Sequence, residues 1–599
     1  MNFVFVAIFA LFTASRAATY PNSLKGGSKT AAGVRLKLTQ PALDHFIDVA
    51  GQVLNEQITG LRVPEIRKKV QGGDLVIKDL RVTDFKEPDD YILKFVPSDK
   101  INLQIINADV VVAGEVEASF ATIQAGGPAT AAAKKLSVDA TASVGMKSDG
   151  KPDIKVSDCK ATMDSFSVNF KQLDGAVAAL IKAAEPVINA AGKTEVENEI
   201  CRQIKKMLEE TVAKAVAKDG GTASLGKPDK PEKSSEEKSE KSEKSEKDEK
   251  SKDKSGDNSG RREGESFSEF IARRNQGGNE KSGGNSKENS ESSGEKGPPV
   301  SEEVLVNLNR EEYEIDYRFT KKPKVTNDYG ESEHSGEISY QGKGKTPFYP
   351  KNIPSFSTKE NSKMVYIKMS DYVPNSFLYS ATQQKDLLVR LNPDTIDDKD
   401  GFLETTCTQG GACFGLLFPD EATPYPNHDV EIELEPTEMP VLLAQKGKLT
   451  AELKGDVKAS AVPKFDSSSE KPEKPADDKR KRSQMLSGTV EAKGEGTFEV
   501  KDDKLYGEVS FTQFKLEVKG EKNKEKQDLS GLVKTYLEHA INKELLGGVP
   551  LPTFEGAAEL KDTQLVINDG HAALETNVEL NKEVISEMVR KAIEKHMQA

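Results

Sequence analysis

The stretch Ile101-Asn102-Leu103-Gln104-Ile105-Ile106-Asn107-Ala108-Asp109-Val110-Val111-Val112 alternates apolar and polar side chains and changes phase halfway along. Ile101, Leu103 and Ile105 hold one phase; Ala108, Val110 and Val112 hold the other, and Asn107 sits at the switch. Period two is the mark of a half-buried antiparallel strand. A phase change inside one strand predicts a bulge or bend. Leu75 and Ile77 start the same alternation upstream.

Further upstream, Leu43, Ile47, Ala50, Leu54, Ile58 and Leu61 recur at steps of three and four. This predicts an amphipathic helix that starts after Pro41 and stops near Gly60 and Pro64. Downstream, Leu173, Val177, Leu180, Ala184 and Ile188 predict a second helix, with a kink or break expected at Pro186. It resumes through Val196, Ile200, Ile204, Met207, Leu208 and Val212. Alternation returns from Val304 to Phe319, then at Met364 to Met369, Leu387 to Leu391, Glu431 to Leu434, Leu449 to Val462, Thr489 to Val500 and Leu505 to Val518. A helix with Leu532, Tyr536, Ile541 and Leu545 follows, then a final strand and helix. Both halves end on long alternating strands and then an amphipathic helix. The order predicts an α+β chain with a two-fold internal repeat of curved antiparallel sheet wrapped on a long helix.

The 599 residues suffice for two large domains or four small ones. The apolar share of 36% is low, yet residues 219 to 300 hold only 7 apolar side chains in 82, and the rest recovers to about 40%. That stretch, with Ser-Glu-Lys repeated from Ser239 to Lys247, carries 17 basic and 19 acidic residues. It has too little to bury to offset chain entropy, so disorder is predicted. One amphipathic island, Phe267, Phe270 and Ile271, lies beside Arg273-Arg274. A second charged insert runs from Lys464 to Arg482, and Pro347, Pro350 and Pro354 predict a semi-rigid interdomain spacer. The net charge of −13 divides into −1 for residues 33 to 218 and −13 for residues 301 to 599. Phosphate binding needs a basic surface, so nucleic acid is excluded as the main partner. Met1 to Ala17, an apolar run ending Ser15-Arg16-Ala17, reads as a secretory signal too short to span a bilayer. The mature protein is therefore expected to be secreted and extracellular, without a transmembrane segment. Secretion permits disulfides, and four Cys allow three pairings.

Five segments in order carry a resemblance: Gly33-Val34-Arg35-Leu36-Lys37-Leu38-Thr39-Gln40 with Leu43-Asp44; Ile105-Ile106-Asn107-Ala108-Asp109-Val110; the spaced Cys159 and Cys201; Met369-Ser370-Asp371-Tyr372-Val373-Pro374-Asn375-Ser376; and Gly548-Val549-Pro550-Leu551-Pro552. The chain resembles the secreted lipid-binding family of bactericidal/permeability-increasing protein, lipopolysaccharide-binding protein and the plasma lipid-transfer proteins. The resemblance implies two barrel-like domains, each a curved antiparallel sheet around a long helix, joined by a central sheet into a boomerang. It implies a leader at 1–17, a first barrel at 31–340 containing the insert 219–300, a Pro-bearing linker at 341–360, and a second barrel at 361–599 containing the insert 464–483. It also implies a Cys159–Cys201 staple, and an apolar pocket in each half for the acyl chains of a bound phospholipid. Leu43, Ile47, Ala50, Leu54, Ile58, Leu173, Val177 and Leu180 are the candidate lining.

Cys407 and Cys413 bracket a flexible Thr-Gln-Gly-Gly-Ala loop suited to a short disulfide ring. The six histidines show no metal-ligand spacing, Gly344-Lys345-Thr346 lacks the rest of a phosphate loop, and no Gly-x-Ser-x-Gly elbow occurs. Neither a catalytic residue, a metal nor a dissociable cofactor is expected. Lipopolysaccharide is anionic, and members of the family that bind it carry Lys and Arg in the hairpin after the Asn-Ala strand. Here Glu115 and Glu117 occupy it, with Arg67-Lys68-Lys69 and Lys134-Lys135 the nearby basic clusters. The leading expectation is a secreted, non-enzymatic carrier of phospholipid or a related acyl lipid. The alternatives are an innate-immunity protein engaging bacterial envelope lipid and a protein-interaction scaffold working through the charged insert. Arg261-Arg262, Arg273-Arg274 and Lys479-Arg480-Lys481-Arg482 are dibasic sequences where a processing protease would cut; the plain reading of the last is solvated charge. The oligomeric state is not legible.

Overall fold

The computed structural model describes residues 20–60, 66–70, 73–120, 123–171, 175–212, 221–225, 308–393, 401–407, 413–464, 480–501, 504–519, 529–550, 557–587 and 590. The leader, Leu173, Arg261-Arg262, Arg273-Arg274 and Lys479 lie outside the described residues.

The first half opens with β1 (Val34–Thr39) and α1 (Gln40–Gln57). Pro41 falls in the first turn of α1, where its missing N–H has no intrahelical partner to lose. β2 (Ile66–Val70), β3 (Gly73–Lys86), β4 (Asp90–Val96), β5 (Lys100–Phe120), β6 (Ile123–Met146), β7 (Pro152–Thr162) and β8 (Ser165–Phe170) form one antiparallel sheet. Its order is β2-β3-β5-β6-β7, with β4 added on β5 and β8 on β6. The phase change at Asn107 is a register break: Ile105 pairs with Val138, Ala108 with Leu136 and Val110 with Ala133. Asn107 takes φ 61°, and its N–H is satisfied by Ser137 Oγ at 3.0 Å. Such a break bends a strand and raises its twist, which lets the 21-residue β5 and 24-residue β6 curl.

α2 (Gly175–Lys206) runs unbroken through Pro186 and on into a π turn at Met207–Val212. The break expected there is absent from the helix, and the proline itself is exposed. β9 (Thr222–Ser224), β10 (Tyr313–Asp316), β11 (Phe319–Val325), β12 (Tyr329–His334) and β13 (Ile338–Tyr340) follow. Of the alternation expected from Val304 to Phe319, Arg310–Glu312 is a 3-10 turn instead. β13, β10 and β9 make a small sheet.

The second half contains β14 (Val365–Ser370), α3 (Tyr372–Gln384), β15 (Val389–Leu391), β16 (His428–Pro436), β17 (Val441–Gln445), β18 (Lys448–Pro463), β19 (Ser483–Lys501), β20 (Lys504–Val518), α4 (Leu529–Gly547), β21 (Val549–Pro550), β22 (Ala558–Asn568) and β23 (His571–Leu580). Where one final strand was expected, β22 and β23 form a hairpin. The large sheet runs β15-β16-β18-β19-β20-β21, with β17 on β18. A six-stranded sheet, β11-β12-β1-β14-β23-β22, joins the halves. The molecule is therefore α+β, with two curled antiparallel sheets flanking a shared central one.

One device recurs. Helix side chains accept the backbone N–H groups of an adjacent strand. From α2 and its π turn, Asn189 receives Val168, Glu197 receives Met163, and Glu209 receives Val156, at 2.9–3.0 Å. From α4, Ser530 receives Leu516 at 3.1 Å, Glu538 receives Phe511, and Asn542 receives Val509 at 2.7 Å. On α1, Gln40 receives Phe95 at 3.1 Å. Strand edges left without a neighbouring strand are thus satisfied by a helix, which answers both the buried polar groups and the hazard of an open edge.

The segment expected to be a spacer is packed. Phe348, Ile353 and Phe356 are buried, and Phe348 meets Tyr20, Tyr372 and Tyr379. Prolines stiffen the chain, but the aromatic side chains between them supply a core of their own. The segment is a strap laid on the molecule.

Candidate functional site

β1 reads Val34-Arg35-Leu36-Lys37-Leu38-Thr39, so Val34, Leu36 and Leu38 share one face of the central sheet and Arg35, Lys37 and Thr39 the other. Their burial is inverted. Arg35, Lys37 and Thr39 are 5%, 0% and 0% exposed, whereas Val34, Leu36 and Leu38 are only half-buried. The apolar face extends sideways: Leu36 stands beside Ile367, Ile367 beside Leu574 and Leu574 beside Leu565. Leu38 stands beside Val365 and Val34 beside Met369. All but Met369 are half-buried, and Met369 is 41% exposed.

The polar face lies under the strap. Arg35 donates to Glu331 and Ser355 at 3.1 Å and pairs with Glu333 at 2.9 Å. Lys37 Nζ donates to the carbonyls of Ser357, at 3.0 Å, and Glu360. It lies 4.2 Å from the Tyr329 ring centre and 5.3 Å from that of Tyr366. Two carbonyls and two π faces replace its water. Burial still pulls the amine below its ordinary range. A buried cation with partners on this side explains why polar residues are the covered ones; on the apolar side Val34 packs against the core of Tyr313, Ile338 and Val373, while Leu36 and Leu38 stay half-buried.

α1 shows the same incompleteness. Leu43, Ile47, Ala50, Leu54 and Ile58 are all half-buried, while Gly51 and Val53 are buried. A Cβ on Gly51 would lie 2.8 Å from the Tyr91 ring, so glycine permits the approach to β4. Tyr91 O–H donates to Asn55 at 2.7 Å, and burial pushes that hydroxyl up to about 12. On the other flank, His45 Nε2 accepts the Leu580 N–H at 3.3 Å, Gln57 donates to the Ser586 carbonyl at 2.9 Å, and Glu56 pairs with Lys582 at 2.6 Å. At roughly 100° per residue, the apolar stripe lies between the Gly51 edge and the Val53–Gln57 edge. The helix is thus packed along both flanks, and the stripe between them is left partly accessible. Of the other candidate lining residues, Val177 and Leu180 fall on α2, their side chains outside those described, and Leu173 lies outside the described residues.

Cys159 and Cys201 are bonded, tying β7 to α2 beside Val138, Ala140 and Ala161. Cys407 and Cys413 are bonded too, and Cys413 leads into a core of Phe402, Leu403, Phe414, Phe418 and Val430. The segment Met369–Ser376 proves to be a joint. Asn375 bonds both the N–H and the C=O of Leu442 on β17, and Ser376 Oγ receives the N–H of Ile338 on β13 at 2.8 Å.

Three of the cations on the first sheet are held in ion pairs. Lys78 is paired with Glu117 and, at 3.8 Å, with Glu115; Lys134 is paired with Asp109 at 3.2 Å and Lys135 with Asp164 at 3.0 Å. Arg67, Lys68 and Lys69 lie on β2, their side chains outside those described. Nor are Arg480 and Arg482 plain solvated charge, although Lys481 between them is exposed. Arg482 pairs with Glu431, which is 1% exposed and also meets Arg390 at 3.2 Å, and Arg480 donates to the Pro463 carbonyl at 3.0 Å. A depression across β18, β19 and β20 has Leu453, Ala492 and Phe514 in its lining, with Glu452, Lys454, Glu491, Lys493 and Lys515 around them. Among the described residues no cluster of side chains could hold a metal ion, and no helix is long and apolar enough to cross a membrane.

No curated protein matches the chain in sequence. Among solved structures, a crystal structure of lipopolysaccharide binding protein is 16% identical, with 92% of this chain and 99% of that one covered at a TM-score of 0.40. Takeout 1 of Epiphyas postvittana is 14% identical over 29% of this chain and 91% of its own, at a TM-score of 0.21. The sequence model of the N-terminal domain of the LBP / BPI / CETP family matches residues 42–211, and that of its C-terminal domain matches residues 308–580. With both domains matched in order over well over half of its length, the chain belongs to the LBP / BPI / CETP family.

Proposed function

We propose that the protein is a secreted carrier that holds a phospholipid or related acyl lipid, without catalysis, against the stripe of α1 and the apolar face of the central sheet. The observation that carries this is the inverted burial of β1, where charged residues are covered and leucines are left half-open. Apolar surface left accessible inside a fold is costly unless something else covers it, and an acyl chain gains about 0.8 kcal/mol for each methylene buried. Family membership supports lipid as the occupant. Recognition of lipopolysaccharide, the ligand named for one structure of similar fold, calls for cations free to meet phosphate, and Lys78, Lys134 and Lys135 are paired already. That favours a lipid read through its acyl chains.

Extraction of the purified full chain followed by native mass spectrometry tests the reading. Lipid should co-purify, or bind on titration after removal. Leu36→Gln and Ile47→Gln should each weaken binding of a fluorescent acyl lipid by about tenfold, because a polar amide then faces the chain without a partner. A delipidated protein that binds no phospholipid or fatty acid would end the proposal.

A further inference from the structure

We infer that Ser332 and His334 form a hydrogen-bond-accepting end to the apolar face of the central sheet, selecting a lipid whose polar end carries a hydroxyl group. The inference rests on the reading of that face as a lipid site. Ser332 stands directly beside Leu36 and His334 beside Val34, so both belong to the apolar face, and both are half-buried. In the row Ser332, Leu36, Ile367, Leu574 and Leu565, the serine is the only polar member. An acyl chain lying along this row would end its apolar contacts at the serine.

The protons of the pair can be assigned from its partners. His334 Nδ1 lies 2.7 Å from the backbone carbonyl of Tyr317. A carbonyl only accepts, so Nδ1 carries the hydrogen. Burial holds the imidazole below its ordinary range and therefore neutral at physiological pH, and the ring is fixed against Phe319 with centres 5.0 Å apart. Nε2 then has a lone pair, and it lies 2.8 Å from Ser332 Oγ. The serine hydrogen is committed to His334. What Ser332 offers outward is its oxygen lone pairs, and among the described residues nothing else bonds to them. A partner must therefore donate. The hydroxyl of a mono- or diacylglycerol or of a sterol does so; an ether oxygen, an ester carbonyl or a quaternary ammonium does not. A site that accepts a ligand hydroxyl discriminates against the analogue lacking it, because its own oxygen is then left desolvated and unpaired.

The test uses the delipidated full chain with 1,2-dioleoylglycerol and its 3-O-methyl ether, each displacing a fluorescent acyl lipid. The wild type should bind the alcohol about tenfold tighter than the ether. Ser332→Ala should abolish that preference by weakening the alcohol while leaving the ether unchanged. His334→Ala should shrink it from the other side, since the freed serine hydrogen can turn to the ether oxygen. Equal binding of alcohol and ether by the wild type, a comparison that needs no variant, overturns the inference and leaves the carrier standing, as does a preference that survives in Ser332→Ala. Binding of neither lipid, nor of the fluorescent one, removes the carrier reading itself.

Discussion

Asp371 joins β14 to α3. Its N–H bonds to the Gly570 carbonyl at 3.1 Å; Lys351, a long contact from Ser370 at 3.5 Å and the Tyr372 N–H favour its charged form, but burial outweighs them. Burial raises that carboxyl to about 6, against about 3.9 in an unfolded chain. Below about pH 4 both states are protonated. As the pH climbs through the interval from 4 to 6, the unfolded chain releases its proton first and stability drains away, by on the order of 3 kcal/mol at neutrality. Asp371→Asn should therefore raise the thermal midpoint at pH 7 and leave it unchanged at pH 4; an equal gain at both would show that the carboxyl's charge is not the cause. His334 and His571 oppose this trend. Burial depresses both, so their contribution is present above about pH 6.5 and is lost as the pH falls. None of these settings is legible in the sequence, because burial is a property of what the distant chain lays over a residue. Lys37 shows it best: in a string of alternating residues it reads as the solvent face, and only the strap from Ser355 to Glu360 makes it the covered one.

Among elements, the α1 helix, the bend at Asn107 and the long strands β5, β18, β19 and β20 follow from periodicity alone. What periodicity missed has identifiable causes. β6 contains Ala129 and Ala131-Ala132-Ala133, small residues that carry no strand signature but suit the inside of a tightly curled sheet. α3 contains Pro374, Asn375 and Ser376, which carry no helical signal of their own; the proline sits in the first helical turn and the two polar side chains bond strand edges. The edge-sealing side chains of α2 and α4 give no periodic signal, because a polar residue on a helix reads the same whether it meets water or a strand. Asn542 bonds both the N–H and the C=O of Val509, so Asn542→Ala should cost about 1–3 kcal/mol. It should also speed amide exchange in β20 while leaving the first half unaffected. The clamp at Glu431 makes a second expectation at this scale. A dibasic-specific protease should leave the bond after Arg482 intact in the folded protein, and Glu431→Gln should expose it, as read by mass of the fragments. Cleavage of the wild type there would mean that the Arg482 pair does not hold in solution.

For the whole molecule, a net charge of −1 on residues 33 to 218 and −13 on residues 301 to 599 leaves little long-range field to attract an anionic lipid surface. Lipid affinity should thus change less than about twofold between 50 mM and 500 mM salt, whereas recognition led by free cations would weaken steeply. Neither the inverted face nor its polar end could be read from residue order, because both depend on six strands drawn from opposite ends of the chain. That assembly has a consequence for biosynthesis. β1 emerges early from the ribosome, yet its partner Val34–His334 is separated by 300 residues, and β23, which completes the neighbouring pairing, comes near the end. At about 5–20 residues per second, β1 waits unpaired for a quarter of a minute to a minute, with Leu36 and Leu38 bare. Through that interval the same leucines that a lipid would later cover are the ones needing protection first.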